Sequence, residues 1–358
     1  MIPYKILAIN PGSTSTKIAL FEDELLVFGK SIRHESEELS CYAKVVHQFE
    51  FRKDLILKEL NEHSIPINNI SAVVGRGGLL KPIPSGVYEV NQPMIDDLLA
   101  ERQGEHASNL GGLIAADIAK QIPGCKAYIA DPVVVDELKP VARVSGHPSF
   151  QRVSIFHALN QKAVAKNFAR ETGKRYDQLN LIVAHLGGGI SVGAHQKGKV
   201  IDVNNALDGE GPFSPERSGS LPSYALAKLC FSGSYTLHEV RKMIVGEGGM
   251  VAFLGTNQFT TVCDWVKEGR EDAKIVVDAM SYQVAKAIGA MAVVLKGDID
   301  AVLITGGMAY SKMFVQNITE QVAFLGPVKV YPGEDEMFAL AMNGLAVLRG
   351  DEAPKEYS

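Results

Sequence analysis

Two stretches half a chain apart echo one another, and this repetition limits the fold more than any other feature of the sequence. The first is Asn10-Pro11-Gly12-Ser13-Thr14-Ser15-Thr16-Lys17, set between apolar runs at residues 6–9 and 18–21. Short Ile- and Leu-rich runs bounded by turn residues read as strands, and Pro-Gly reads as the reversal between them. The second stretch covers residues 181–194 and centres on His185-Leu186-Gly187-Gly188-Gly189. It too reads strand, Gly-rich turn, strand, and a charged turn follows at 196–199, as Glu22-Asp23-Glu24 follows the first. A plain hairpin would need only an Asn-Gly or Asp-Gly turn. Here the first turn crowds four hydroxyls and one ammonium together, the donors that an anionic phosphate requires. The repeat predicts two similar domains, each offering a turn to one shared cleft.

Length agrees, since 358 residues exceed what one core usually supports. A net charge of −5 argues against nucleic acid and against an anionic membrane surface as partners. The 34 glycines cluster in turns, which favours close backbone approach to a ligand. The cysteines at 41, 125, 230 and 263 are isolated; they give neither a zinc site nor a disulfide framework and point to a reducing cytoplasm. No histidine pair has metal-ligand spacing, and the apolar run after Lys5 is too soon interrupted to be a signal peptide. The longest apolar stretch, 287–295, lies between Lys286 and Lys296 and is too short to span a bilayer.

Along the chain, residues 25–32 read as a third strand and 40–62 as a helix. Residues 70–74 form a strand that ends in Gly75-Arg76-Gly77-Gly78, and 82–90 form a Pro-punctuated loop. Helices fill 93–121, and the strand 127–130 runs into Asp131-Pro132. The second half opens with a helical run at 155–171. Its hairpin is followed by a strand at 199–204, a Gly/Pro/Ser-rich loop at 208–222 and a Gly cluster at 246–249. An apolar helix at 275–295, strands at 301–305 and 328–331, and a last helix complete the chain.

The strand at 301–305 leads into Gly306-Gly307, a turn that lets adenine and ribose lie close to backbone at a helix start. No P-loop and no spaced dinucleotide fingerprint is present. Two phosphate hairpins with one adenosine turn on paired domains indicate an actin-like ATPase architecture. Through Asn10–Lys17, His185-Leu-Gly-Gly-Gly, Arg217-Ser218-Gly219 and Thr305-Gly306-Gly307, in that order, the sequence resembles the acetate/butyrate kinase family of the actin–hexokinase superfamily. The Asn-Pro-Gly spelling and the chain length are closer to the butyrate branch. The resemblance implies an α/β fold of two actin-like ATPase (ribonuclease H-like) domains of β-β-β-α-β-α-β-α type. Their implied extents are 1–150 with the C-terminal helix 335–358, and 151–334.

It also implies reversible phosphoryl transfer between ATP and a short-chain carboxylate, with ADP and the acyl phosphate as products and Mg²⁺ as cofactor. A carboxylate is already ionised at neutral pH, so no general base is needed, whereas hydroxyl kinases use one. Position by position, Arg76 resembles the arginine that holds the substrate carboxylate, and Arg217 the one that stabilises the transition state. His157 and His185 resemble the two histidines beside the transferred phosphoryl. Asn10, Ser13, Ser15 and Lys17 match one phosphate loop, Gly187, Gly188 and Gly189 the other, and Gly306 and Gly307 the adenosine turn. Asp131 resembles the Mg²⁺-linked aspartate, with its acidic partner expected in Glu334 or Glu336, and His106 and Asn109 fall in the family's His-Asn loop. Gly188 stands where acetate kinases carry Asn, which leaves that phosphate contact to backbone. Ile83, Pro84 and Val87 are expected to form the apolar wall that sets acyl length, so that Val87→Phe would shift preference toward acetate. The resemblance also implies a homodimer or higher homo-oligomer. The alternatives are an acetate, propionate or isobutyrate kinase, a sugar kinase, or an actin-like ATPase without a metabolic substrate.

Overall fold

The computed structural model describes residues 3–358, which form two compact units: residues 3–135 with 335–358, and residues 136–334. The first holds strands β1 (Lys5–Pro11), β2 (Ser15–Glu22), β3 (Leu25–Arg33), β4 (Ala72–Arg76), β5 (Val87–Glu89) and β6 (Lys126–Ala130). They lie in the order β3-β2-β1-β4-β6-β5. The second holds β7 (Asn180–Leu186), β8 (Ile190–Gln196), β9 (Lys199–Val203), β10 (Ala301–Gly306) and β11 (Val328–Pro332), ordered β11-β10-β7-β8-β9. With β5 set aside, the two orders coincide. Each sheet is an antiparallel meander of three strands joined to two parallel ones. The repeat first visible in two turns therefore extends to the whole topology.

Central strands covered on both faces read as unbroken apolar runs, and alternation divides their side chains between two layers. Leu7, Ile9 and Val73 pack with Ile56, Leu60, Leu110 and Ile114 of the helices Phe49–Glu62 and Asn109–Lys120. On the opposite face Gly344 of the helix Glu336–Arg349 fits against Ile6 and Val74, where a Cβ would stand 2.6 Å from Val74 Cγ2. In the second unit Ile182, Ala184, Val302 and Ile304 meet the helices Glu271–Val294 and Lys312–Val322. Leu181, Val183, Ala301 and Leu303 meet Ala158–Glu171.

Three expectations are corrected. The stretch 82–90 is not all loop, because Val87–Glu89 adds the edge strand β5, antiparallel to β6. Val87 is fully buried there, so it is core and not a pocket wall, and Phe in its place would overpack the sheet edge. Residues 136–150 cluster with the second unit: Lys139 donates its backbone N–H to Ile201 O at 3.0 Å, and Arg152 Nη1 donates to Ala142 O at 2.9 Å. The edge of β5 is covered in turn by the C-terminal segment. Glu89 N donates to Lys355 O, Lys355 N donates to Val87 O, and Tyr357 closes on buried Asp97 at 2.7 Å, which hides backbone that could pair with another chain. Among the described residues no helix is long and apolar enough to cross a membrane.

Candidate active site

In the first unit the parallel strands β1, β4 and β6 end side by side, with Ile9 opposite Gly75 and Arg76 opposite Ala130. Asn10, Arg76 and Asp131 therefore share the carboxyl edge, where open α/β sheets bind ligands. Asn10 Nδ2 donates to Glu336 Oε2 at 2.5 Å, and Arg76 Nη1 reaches Asn10 Oδ1 at 3.3 Å and Glu336 Oε2 at 3.4 Å. Both arginine contacts come from Nη1. Among the described residues the Nη2 edge makes no hydrogen bond and can receive a carboxylate. Gly75 and Gly111 fix the arginine's height: a Cβ on Gly75 would collide with Gly111 O, and one on Gly111 with Arg76 O. Asn109 is a staple for the neighbouring loop, accepting from Leu79 N at 2.8 Å and donating to Gly104 O at 2.9 Å. His106 takes Ser108 N–H on Nδ1 at 3.1 Å, and burial, then the charge of Arg76, lowers its pKa. Asp131, at φ +37° and 2% exposed, receives Ser85 Oγ at 2.6 Å and Gly86 N at 2.9 Å on Oδ1. Its buried Oδ2 has no hydrogen-bond partner among the described residues.

The first turn closes through Gly12 N–H to Ser15 O at 2.7 Å, with Ser13 and Thr14 exposed at its tip. Lys17, opposite Asn10 in register, is exposed on one face of β2, and Thr16 is buried on the other. Beneath the turn lies Arg52, only 1% exposed and, among the described residues, without a carboxylate partner. Its guanidinium donates to Gly12 O at 2.7 Å, Ser13 O at 3.2 Å, Ser15 O at 3.3 Å, Thr16 Oγ1 at 3.2 Å and Gln48 Oε1 at 2.8 and 3.0 Å. Burial brings its pKa down to about 10, so it remains a cation at neutral pH. It collects the turn's carbonyls on the inner side.

His34 Nε2 lies 2.8 Å from Thr16 Oγ1, and burial, with help from Arg52, pushes its pKa down from 6.5 to about 4. The unfolded chain then binds more protons than the folded one between these values, so stability falls as pH drops from 6.5 toward 4. The denaturant midpoint should fall between pH 7 and pH 5, and less steeply in His34→Gln; equal slopes would rule this histidine out as a source.

In the second unit the β7–β8 turn is drawn together by Gly187 N–H to Gly189 O at 3.1 Å, and Ser214 Oγ holds Gly188 O at 2.6 Å. Gly188 is exposed at the tip. Arg217 packs over Gly189 so closely that any Cβ there would occupy the guanidinium's space, and its Nη1 also donates to Ala206 O. Burial lowers its pKa, opposed by Glu216 and Asp208. Gly246–249 clamps this loop. Ser218 N donates to Ile244 O at 3.0 Å and Met250 N to Ser214 O at 3.1 Å, while Gly249, at φ +60°, lies against Ser214 O.

His157 stands just before the helix Ala158–Glu171 and is half-buried. Its ring stacks on that of His185, with centroids 3.8 Å apart and planes 11° from parallel. His185 Nδ1 lies 2.8 Å from Asn160 Oδ1, and its Nε2 is 2.9 Å from Glu334 Oε1 without making a hydrogen bond. At the third turn Gly306, φ +95°, pairs with Gly333 and leaves no room for a Cβ against Leu186 O. A pocket of about 690 Å³ opens beside it, lined by Tyr310, Lys312, Val315, Val330 and Pro332.

The expected acidic cluster does not stay together. Glu334 belongs with His185, Asp335 caps the last helix through Phe338 N at 3.0 Å, and Glu336 joins Asn10 and Arg76. Among the described residues no three acidic, His or Cys side chains gather into a metal cage. Sequence reasoning missed Arg52, His34, Asn160, Gln161, Ser191 and His195. Helical spacing three and four residues beyond His157, and the hairpin register that sets Ser191 opposite His185, were available signals for three of them.

The family model described as the acetokinase family matches residues 151–339. The chain is 58% identical over 354 residues to Butyrate kinase 2 of Clostridium acetobutylicum, with 99% of each chain covered. It is 54% identical over 347 residues to the probable butyrate kinase of Bacteroides thetaiotaomicron, covering 97% of this chain and 98% of that one. Among solved structures it resembles acetate kinase from Porphyromonas gingivalis, with TM-score 0.78 and 20% identity over 96% of this chain and all of that one. It also resembles a propionate kinase from Francisella tularensis, with TM-score 0.75 and 19% identity over 95% and 98%. The fold is thus the α/β fold of these kinases, with paired actin-like sheets, and the chain belongs to the acetokinase family.

Proposed function

We propose that the protein catalyses reversible phosphoryl transfer between ATP and butyrate, by direct in-line attack of a carboxylate oxygen on the γ-phosphorus. The observation that carries this reading is the full-length similarity to relatives named butyrate kinases. A site rich in fixed cations and N–H donors supports it. The new bond joins carboxylate oxygen to phosphorus, the β,γ-bridging bond breaks, and ADP leaves with its electron pair; no proton moves. Arg76 binds the carboxylate through its Nη2 edge. Arg217, His157 and His185 stabilise charge on the transferring group. The turns at Asn10, Ser13, Ser15 and Lys17 and at Gly187–189 hold phosphate oxygens, and Gly306-Gly307 admits adenosine.

Mg²⁺ fits the residues present, because Asp131 Oδ2 is buried and unpartnered and this ion is usually held by one or two carboxylates, waters and substrate phosphates. Asp131 would hold it, with Glu336 of the same unit as second carboxylate, and when bound it would neutralise phosphate charge. Cytoplasmic location accords with free cysteines. Exposed Phe231, Leu237, Phe253 and Ile275 of the second unit are the kind of apolar surface a homodimer covers.

Trapping with hydroxylamine tests the reaction. ATP and butyrate should give the acyl hydroxamate, and its absence would leave a sugar kinase or a plain ATPase. Each buried CH₂ contributes about 0.8 kcal/mol, roughly fourfold, so kcat/KM should rise from acetate through propionate to butyrate. A flat or inverted series would reassign the substrate.

A further inference from the structure

Behind the stacked histidines of the second unit runs a chain of buried polar groups to which the reaction assigns no part. Tyr176 Oη lies 2.7 Å from His195 Nδ1, and His195 Nε2 lies 2.9 Å from Gln161 Oε1. Gln161 Nε2 donates to both the backbone oxygen of Ser191, at 3.1 Å, and its Oγ, at 2.8 Å. Ser191 Oγ then lies 2.8 Å from His157 Nδ1. Gln161, Ser191 and His195 are all fully buried, so their hydrogen-bonding capacity must be met within the protein.

The direction of this chain follows from one fixed group. The Ser191 carbonyl can only accept, so it holds the Gln161 amide with its nitrogen toward β8 and its oxygen toward His195. His195 must therefore carry its proton on Nε2. Burial, and then the charge of Lys162, lowers its pKa well below the usual histidine value, so the ring is neutral and its Nδ1 accepts from the Tyr176 hydroxyl. Lys162 is itself neutralised by Glu137 at 2.7 Å. At the other end the second Gln161 N–H occupies Ser191 Oγ as an acceptor. The hydroxyl's own proton then has one acceptor within reach among the described residues, His157 Nδ1. The ring below His157 is His185, with Glu334 beyond it.

We infer that Tyr176, His195, Gln161 and Ser191 form a one-way hydrogen-bond chain that holds His157 as the neutral tautomer protonated on Nε2. These four are positioning residues. They give His157 an N–H donor facing away from Ser191 and keep its lone pair occupied, so that the ring stabilises phosphoryl charge without acting as a base. The inference rests on the role proposed for His157 in transfer.

The test uses the full chain labelled with ¹⁵N-histidine, in which two-bond proton–nitrogen correlations report the tautomer of each ring. His157 signals are identified by their loss in His157→Gln. At pH 7 the wild type should show Nε2 protonated and Nδ1 bare. Ser191→Ala should abolish that pattern and lower kcat about tenfold, the worth of one hydrogen bond, with KM for ATP and butyrate within about twofold. Tyr176→Phe and Gln161→Met, which perturb the chain further away, should each shift His157 toward a mixture of tautomers. A proton on Nδ1 in the wild type, or a Ser191→Ala enzyme with unchanged tautomer and kcat, overturns the inference. Should Ser191→Ala fail to fold, an unchanged tautomer in Gln161→Met overturns it equally. Full activity in His157→Gln would instead remove the histidine from the reaction and leave the tautomer result standing.

Discussion

Arg217→Ala should lower kcat by roughly 10³- to 10⁵-fold, the worth of an arginine placed on a transferring phosphoryl, while KM for ATP moves only a few-fold. The split follows from where the charge appears. In the proposed mechanism ground-state ATP is held by turns and backbone, whereas the guanidinium meets the equatorial oxygens most strongly during transfer. The structure has already spent the ordering entropy of this side chain: Gly189 below, Ala206 O to one side and the Gly246–249 clamp behind leave it one position. Lysine cannot reproduce the planar fork, so Arg217→Lys should recover little. Gly189→Ala offers an independent check, because it displaces the guanidinium without deleting it and should also depress kcat. Steady-state kinetics at saturating ATP and butyrate decide the matter, and a near-normal kcat for Arg217→Ala would take the residue out of the mechanism.

Arg52→Met should be the most damaging substitution outside the chemistry. It abandons the acceptors at Gly12, Ser13 and Gln48, while Ser15 O keeps the Gly12 N–H; a buried acceptor left unmet costs about 1–3 kcal/mol. After relaxation, a loss of about 4 kcal/mol or more is expected, at the severe end for a single change. That corresponds to a fall on the order of 10 °C in the Tm of the first unit. The loosened turn should also raise KM for ATP at least about tenfold, because its donors are no longer held in place. Arg52→Lys restores the charge but not the fan of bonds and should rescue only part of the stability. Calorimetry and ATP kinetics on the same preparation test both halves; an unchanged Tm together with an unchanged KM would show the arginine to be incidental.

Much of this architecture could be read in advance because apolar periodicity and glycine placement are local signals. The runs that became β1, β2, β7 and β8 are continuous because those strands are covered on both faces, and the turns between them announced themselves by composition. The edge strand β5 was not legible, because proline punctuation at 82–84 suggests a loop and only pairing with β6 makes 87–89 extended. For the same reason Val87 was misread: its burial arises from β6 and the C-terminal segment, far away in sequence. Asn10, Arg76 and Asp131 could be nominated singly, yet their common edge follows from strand order. Arg52 illustrates the harder limit. Nothing about an arginine in a charged helix says that it will be buried, since the carbonyls it serves lie some forty residues earlier. The separation of Glu334 from Glu336 was likewise invisible, as three consecutive acids look alike until the chain passes from one unit to the other between them.

The matching topologies of the two sheets suggest an ancient duplication, and the two hairpins record how the copies have since drifted apart. One kept oxygen-bearing side chains at an open tip, where a new methyl or hydroxymethyl group finds space. The other was stripped to bare peptide: at 189 the Arg217 guanidinium already fills the place of any added carbon, and at 187 His185 and Glu334 would crowd it at 3.0 and 3.1 Å. Evolution of this enzyme toward other acids or nucleotides therefore has an unequal margin, with variation affordable at exposed Thr14 and Gly188 and almost none at Gly189.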